Sequence, residues 1–465
     1  MENLRIINFN NRKREKQKNG NNLAITTYSV DEIIQDELNA RILKQLPVTS
    51  KGKLIEKIHK NNLGFNDTFL AACYILSATN NLLYQRFKHP IEKASGRTSI
   101  NDGREYSSTR AAHVGTEMLV SLREKELYVG LNSEEIAGLV AGSMMDLLYR
   151  IDSDEVTDTC GMGGDIGFDG VKTLNASTLS AIVNASLGIK VMKHGSYANT
   201  SPIGSTDFIE QTGANICMNQ ISDYSECLEK VNFLYTDAHE AKTIHDISHL
   251  LMGETINHII GPMTTPVSRS TKLNRVIGVN HNVSTESIAK AYEILRLMEF
   301  QNVSNVCAIA GLSEDFDNNS EQNLSEHARS FTVLDELTPF SSAVSFVKDG
   351  KFAGTYLISP SDFGLAITLD NILASSTRAE CYKENLLALK GNSPKTEYLA
   401  MNAALVYFTV KYLSKPDSII NGKINGAYLK QAFRKCFEAI SSGAAFGKLE
   451  EYVSRTGGQI NIGGI

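Results

Sequence analysis

Between Cys160 and Asp207 the chain reads CGMGGDIGFDGVKTLNASTLSAIVNASLGIKVMKHGSYANTSPIGSTD, which combines a glycine turn, a set of hydroxyls, one lysine and a second Gly-Ser turn. Gly161, Gly163 and Gly164 let the backbone turn sharply and bring N–H groups close to phosphate oxygens. Asn175, Ser177 and Thr178 open an apolar run from Leu179 to Leu187 that reads as a helix, and a helix N-terminus attracts anions. Lys193 follows a strand-like segment, Ile189 to Met192. Gly204-Ser205 offers a further small-residue turn whose N–H groups suit a second phosphate. Any one glycine turn is weak evidence, because many are only tight connections. Their combination suits a phosphorylated sugar.

A second constellation is Asp335-Glu336. Adjacent carboxylates cannot share one helix face, but in a loop both can present oxygens to a hard cation. His239, His245, His249 and His258 gather in one segment with Glu240 and Lys242. Spacings of three or four residues place side chains on one helix face, so His245 and His249 read as pocket lining in preference to metal ligands. Ordinary surface or core histidines remain the alternative. The seven cysteines form no CxxC pair and read as reduced packing thiols. Cys160 has no base paired with it in sequence, which favours packing over a nucleophilic role.

These groups need elements to hold them. Val30 to Leu46, Lys51 to Asn61, Asp67 to Ala78 and Ser133 to Arg150 carry helical spacing of apolar residues, the last beginning after Asn132 with a capping pattern. Together they predict a small helical domain over 30–150, following a basic tail over 1–29. Within that domain 84–113 is polar, carries Arg86, Arg97, Arg104 and Arg110, and reads as an inserted loop: a surface excursion, or a lid or partner loop. From Asp158 onward short β-branched runs alternate with helices, at Ile189 to Met192, Phe233 to Tyr235, Arg275 to Val279 and Val303 to Ala310. That alternation predicts a large α/β domain over 151–465 with a mostly parallel central sheet, with 236–262 contributing to the helical domain. Ser313 to Ser330 is acidic and reads as a second inserted loop.

With 465 residues, 42% of them apolar, the chain can bury a substantial core. A net charge of −6 argues against a dedicated nucleic-acid binder. Asn8 to Asn22 is basic and nearly free of large apolar residues, so it cannot repay its ordering entropy and is expected to be disordered. It reads as a solvated tail, and any nucleic-acid contact would have to run through it. No apolar run is long enough to cross a bilayer, and charge occupies the N-terminal stretch where a signal peptide needs apolar residues, so a cytoplasmic location is expected.

The motifs GMGGD, KTLNAST, KHG and GSTD follow one another in the order and spacing of the anthranilate phosphoribosyltransferase family, and the chain resembles that family well beyond them. Leu122 to Leu148, with NSEEIAGLVAGSM at its centre, resembles the helical segment before the glycine turn. IIGPMTTP at Ile259 to Pro266 is similar to the family's Leu-Leu-Gly-Pro-Leu-Thr-Asn-Pro. LDELTPF at Leu334 to Phe340, SPSDFGL at Ser359 to Leu365 and AISSGAAFGKLEEYV at Ala439 to Val453 fit its C-terminal half. The resemblance covers residues 40–75 and 115–455.

It implies transfer of ribose 5-phosphate from phosphoribosyl pyrophosphate to an acceptor nitrogen, with release of pyrophosphate. It also implies donor binding by Gly161, Gly163, Gly164, Asp165, Thr173, Asn175, Ser177, Thr178, Lys193, Gly195 and Ser205, and Mg2+ held at Ser177, Asp335 and Glu336. Lys193 and Asp165 would be the catalytic pair, and the protein a homodimer packed through its helical domain. Breaking the bond from ribose C1 to pyrophosphate separates charge, so the protein's contribution is chiefly electrostatic.

The acceptor end departs from the family. Members that use anthranilate have Lys-His-Gly-Asn-Arg where this chain has Lys193-His194-Gly195-Ser196-Tyr197. They also have an arginine, in Val-Arg-Arg-Glu-Leu-Gly, that grips the acceptor carboxylate; Ile247-Ser248-His249-Leu250-Leu251-Met252 lacks it. Lysine or histidine does not replace a bidentate guanidinium. The expected acceptor is therefore an amine or ring nitrogen of a small aromatic molecule other than anthranilate, in a pocket containing Ser196, Tyr197, His239, His245, Ser248 and His249. Anthranilate, the acceptor in tryptophan biosynthesis, stays open if an arginine from 84–113 restores the grip. A pyrimidine-type nucleoside phosphorylase is disfavoured by Lys193-His194-Gly195 and Asp335-Glu336. A catalytically silent, nucleic-acid-binding homologue is disfavoured by the complete donor set.

Overall fold

The computed structural model describes residues 49–78, 83, 104–147, 150–163, 172–198, 202–218, 221–238, 251, 254–316 and 324–462. The basic tail, the Val30 to Leu46 segment and residues 84–103 lie outside them. The chain divides into two compact units, one of Met1–Arg150 with Asn219–Ile221 and Ala238–Pro266, the other of Ile151–Met218, Ser222–Asp237 and Val267–Ile465. No helix among the described residues is long and apolar enough to cross a membrane.

The first unit is helical, with α1 (Lys51–His59), α2 (Phe65–Leu76), α3 (Arg104–Tyr128) and α4 (Ser133–Ser143). The start of α4 is a reciprocal cap: Asn132 Oδ1 accepts the Glu135 N–H at 3.0 Å, and the Glu135 carboxylate accepts the Asn132 N–H at 2.9 Å. Glu135 also receives Lys125 Nζ at 2.9 Å in a buried pair. Gly138 and Gly142 let α4 lie directly on α2, since a Cβ at 138 would stand 2.2 Å from the Phe65 carbonyl oxygen. Two expectations change. The helix expected to reach Arg150 ends at Ser143 and tightens into a 3₁₀ turn over Met144–Asp146, a common way to finish a helix. The polar excursion expected over 84–113 is helical from Arg104, because Ala111, Val114, Met118, Leu119 and Leu122 continue a buried stripe at helical spacing.

The second unit is built on an eight-stranded sheet in the order β3-β2-β1-β4-β5-β7-β8, with β6 also paired to β5. Its strands are β1 (Glu155–Gly161), β2 (Val191–Gly195), β3 (Phe233–Asp237), β4 (Lys272–Gly278), β5 (Val303–Leu312), β6 (Thr332–Leu334), β7 (Ser342–Lys348) and β8 (Lys351–Ile358). The first five run parallel and the last three are antiparallel additions. The sheet is thus mostly parallel, as expected. Helices α5 (Ala176–Ser186), α6 (Ser205–Gln211), α7 (Ile221–Val231), α8 (Thr285–Leu297), α9 (Arg378–Leu389), α10 (Thr396–Lys411), α11 (Gly426–Ser441) and α12 (Ala444–Arg455) complete the unit. α5 packs on β1, β2, α10 and α12, while α8 packs on β5, β7 and β8. Covering by helices explains why β1 to β5 are almost wholly buried.

The β7–β8 hairpin turns through Asp349-Gly350, both with positive φ (51° and 81°), the conformation a two-residue hairpin loop needs. The stretch expected as a loop over 313–330 contains a helical turn, Leu324–Arg329, pinned by the rings of Phe316, His327 and Phe331 at centroid distances of 5.1–5.6 Å.

Candidate active site

In a parallel sheet the strand C-termini converge on one edge, where ligands are usually bound. Here that edge is nearly bare of side chains. Gly161 of β1 pairs with Gly278 of β4, and Gly195 of β2 pairs with Asp237 of β3. The bareness admits Asp335. A Cβ at Gly161 would stand 1.9 Å from Asp335 Oδ2, and one at Gly278 would stand 1.5 Å from the Asp335 carbonyl oxygen. Gly163 N–H donates to Asp335 Oδ2 at 2.9 Å, joining the glycine turn to the acid pair across 172 residues. A Cβ at Gly311 would likewise meet the Glu336 carbonyl oxygen at 2.1 Å.

The rest of the acid loop is tied down as firmly. Leu337 N–H donates to Asn402 Oδ1 (3.2 Å), Thr338 N–H to Ser342 Oγ (3.2 Å) and Thr338 Oγ1 to the Leu312 carbonyl (3.1 Å). Burial, and after it the charge of Glu336, hold the Tyr398 phenol well above its usual pKa.

The start of α5 is anchored from outside. Asn175 N–H donates to Asn385 Oδ1 on α9 at 2.9 Å, and Asn385 Nδ2 returns a bond to Asn175 Oδ1 at 3.3 Å. Thr159 Oγ1 on β1 donates to the Ser177 carbonyl (3.0 Å), and Thr178 Oγ1 donates to Ser205 Oγ (3.0 Å). Thr173 bridges to Leu373. Lys193 is 1% exposed and donates from Nζ to the His194 carbonyl at 2.6 Å. Burial pulls its pKa below the ordinary lysine value, against the opposing pull of Cys160 and Asp335. A Cβ at Gly195 would stand 2.7 Å from Ser205 Cβ and 3.0 Å from Tyr235 Oη, so this glycine lets β2 approach α6 and β3.

The Gly204-Ser205 turn differs from its reading as a second phosphate nest. Gly204 N–H and Ala198 N–H both donate to Asp207 Oδ2 (2.9 and 2.7 Å), and Arg378 Nη2 binds Asp207 Oδ1 at 2.7 Å. Those two donors are committed to a carboxylate of the chain itself, and Ser205 is presented by its hydroxyl. Ser196 Oγ donates to the Tyr197 carbonyl (3.3 Å), and the half-exposed Tyr197 donates from Oη to Glu210 Oε1 (2.9 Å). Gly164, Asp165, His239, His245, Ser248 and His249 lie outside the described residues. His258 is in the helical unit, its Nε2 2.7 Å from Glu126 Oε1.

Two networks escaped the sequence reading. Asp158 Oδ2 faces His194 Nδ1 at 2.7 Å and pairs with Arg275 Nη1, while Arg275 Nε donates to Tyr292 Oη at 2.9 Å; all are fully buried. The signal was an arginine inside an apolar strand, a charge almost never buried unless paired. The second is Tyr235, Thr206 and Asp237. Thr206 Oγ1 donates to Asp237 Oδ2 at 2.8 Å and stands 2.6 Å from Tyr235 Oη.

The donor set suits a hard cation. Among the described residues no three His, Cys, Asp or Glu side chains gather into a cage. Two adjacent carboxylates suit a hard ion such as Mg2+, which keeps few protein ligands and takes the rest from water and substrate phosphates.

The fold is a mostly parallel sheet with a glycine-lined C-terminal edge, and residues 153–326 match the glycosyl transferase family, a/b domain. The anthranilate phosphoribosyltransferase of Methanococcus maripaludis is 32% identical over 338 residues, 72% of this chain and 88% of that one. That of Clostridium kluyveri is 30% identical over 363 residues, covering 77% and 92%. The structure of anthranilate phosphoribosyltransferase from Saccharomyces cerevisiae in complex with PRPP and Mg shares the fold with a TM-score of 0.60 at 22% identity, over 88% of this chain and 98% of that one. The Thermus thermophilus enzyme does so with a TM-score of 0.60 at 21% identity, over 87% and 99%. The chain belongs to the anthranilate phosphoribosyltransferase family and is a phosphoribosyltransferase, a glycosyltransferase-type enzyme.

Proposed function

We propose that the protein transfers ribose 5-phosphate from phosphoribosyl pyrophosphate, with Mg2+, to a nitrogen of a small aromatic acceptor other than anthranilate. One observation supports the donor half: Asp335 is wedged against Gly161 and Gly278 and bonded to Gly163 N–H, so the acid pair that we read as cation-binding lies beside the glycine turn that we read as phosphate-binding. Gly161, Gly163, Gly164, Thr173, Asn175, Ser177, Thr178, Gly195 and Ser205 hold the donor. Ser177, Asp335 and Glu336 would hold Mg2+, which when bound neutralises the charge growing on pyrophosphate. Lys193 is pre-positioned by the His194 carbonyl and adds a fixed ammonium to the same end, while Asp165 completes the set. A pre-organised donor of this kind contributes about a hundredfold in rate. The acceptor half rests on Ser196-Tyr197 and on the missing arginine near Ser248 and His249, with His239 and His245 as further lining.

A second reading keeps anthranilate as acceptor, and the names of the relatives favour it. Calorimetry with phosphoribosyl pyrophosphate, with and without Mg2+, tests the donor half; metal-dependent binding unchanged by Asp335→Ala with Glu336→Ala refutes the metal assignment. Pyrophosphate release with a panel of aromatic amines, hydroxyaromatic acids and nucleobases decides between the acceptors. The protein is also expected to be a homodimer through its helical unit, and a monomer by light scattering at micromolar concentration refutes that.

A further inference from the structure

We propose that Asp237 makes the acceptor end of the site select an uncharged aromatic nitrogen nucleophile and reject a carboxylate. The inference rests on the phosphoribosyltransferase reading above and names the class of acceptor. Asp237 is the last residue of β3 and lies in register with Gly195, at the point where β2 gives way to Ser196-Tyr197. Thr206 Oγ1 donates to Asp237 Oδ2 at 2.8 Å and is 2.6 Å from Tyr235 Oη, which in turn would be 3.0 Å from a Cβ at Gly195.

Since Thr206 spends its hydroxyl proton on Asp237, the phenol must be the donor to Thr206. Burial, then the Asp237 charge, keeps that phenol protonated by raising it well above its usual pKa. The chain of donors therefore runs from Tyr235 to Thr206 and ends on a carboxylate. Asp237 is 2% exposed and its two companions 0%, so solvent and salt screen this charge poorly.

An anion at Ser196-Tyr197, just past the β2 end, would face a second negative charge through little water, whereas a neutral amine or amide would not. The attacking nitrogen becomes positive as its bond to C1 forms, and a nearby fixed anion favours that state. The same residue thus disfavours the carboxylate of an acceptor and favours its nitrogen.

Anthranilate and anthranilamide are nearly isosteric and differ in this charge, so the ratio of their kcat/KM values in pyrophosphate release reads the effect directly. If neither turns over, their inhibition constants against the donor give the same ratio. Wild type is expected to prefer anthranilamide, and Asp237→Asn to move the ratio toward anthranilate by at least about tenfold, the effect two like unit charges have even about 12 Å apart at an effective dielectric of about 20. Asp237→Glu keeps the charge and should keep the preference, and the KM for phosphoribosyl pyrophosphate should stay unchanged in both. A folded Asp237→Asn protein with the wild-type ratio overturns the proposal, as does a wild type that takes anthranilate equally well or better; the latter measurement decides even if neither variant folds. Failure of wild type to bind phosphoribosyl pyrophosphate with Mg2+ in calorimetry, a measurement that does not involve Asp237, removes the functional reading itself.

Discussion

Gly278→Ala is a one-methyl test of how the acid pair is placed. The added carbon would stand 1.5 Å from the Asp335 carbonyl oxygen, against 3.4 Å for ordinary contact, a deficit of about 1.9 Å that backbone must absorb. β4 cannot yield, because it is paired on both sides to β1 and β5 and buried from Leu273 to Gly278. The Asp335 loop must move instead. Metal–ligand distances tolerate only about 0.2 Å, and misplacing a group by about 1 Å costs on the order of a hundredfold, so metal-dependent donor binding should fall by at least that factor.

The overpacking should also cost about 1–3 kcal/mol of stability, visible as a lower Tm. Gly447→Ala provides the control: it lies in α12 with nothing within 4 Å of its added carbon, so Tm should hold or rise. Calorimetry with phosphoribosyl pyrophosphate, with and without Mg2+, reads the binding. If Gly278→Ala binds the donor as wild type does, the placement of Asp335 by the bare sheet edge is wrong.

In the proposed role Lys193 acts as a cation, and burial lowers its pKa, so kcat/KM should fall as pH rises through a value below the ordinary 10.5, and Lys193→Met should abolish that limb along with about a hundredfold of activity. The stability sign is the reverse of the usual lysine case. Between the folded pKa and 10.5 the unfolded chain binds the extra proton, so wild type should gain stability relative to Lys193→Met as pH rises across that window, measured by Tm. Arg275→Met leaves the buried Asp158 facing His194 without its cation and should cost about 3–5 kcal/mol, of which adding Asp158→Asn should recover part. Strictly additive losses in denaturant melts would show that the two charges do not interact.

What could be read in the chain divides by physical cause. The helix start at Ser133 and strands β2 to β5 were legible because caps and β-branched runs are local signals. The β7–β8 hairpin was missed although Asp349-Gly350 flanked by alternating apolar residues is a hairpin signature. The extent of α3 was missed because polar residues dominate its first turns. Asp237, Thr206, Arg275 and Asp158 come from four separate segments, and nothing local marks them as partners. The commitment of Gly204 N–H to Asp207 was missed although it was a local signal: Asp207 is the acid three residues on that closes a capping box at the start of α6.

The two halves of the site accordingly respond differently to change. The acid pair follows the 313–330 stretch read as a second inserted loop, yet Asp335 and Glu336 are held by contacts that ignore what precedes them: Gly161, Gly163 and Gly278 on one side, Gly311 on the other. β6 pairs back onto the end of β5 between the extra segment and the acids, so a change of length upstream ends at that pairing. Loop closure costs only weakly more with added residues, which makes such an insertion thermodynamically cheap. At the proposed acceptor end the groups concerned are side chains, namely Ser196, Tyr197, Thr206 and Asp237, at or just after strand ends and on α6, and replacing one of them alters charge or shape without moving the sheet. A bare-backbone donor edge beside a side-chain acceptor edge is an arrangement in which the acceptor can change while the donor chemistry stays.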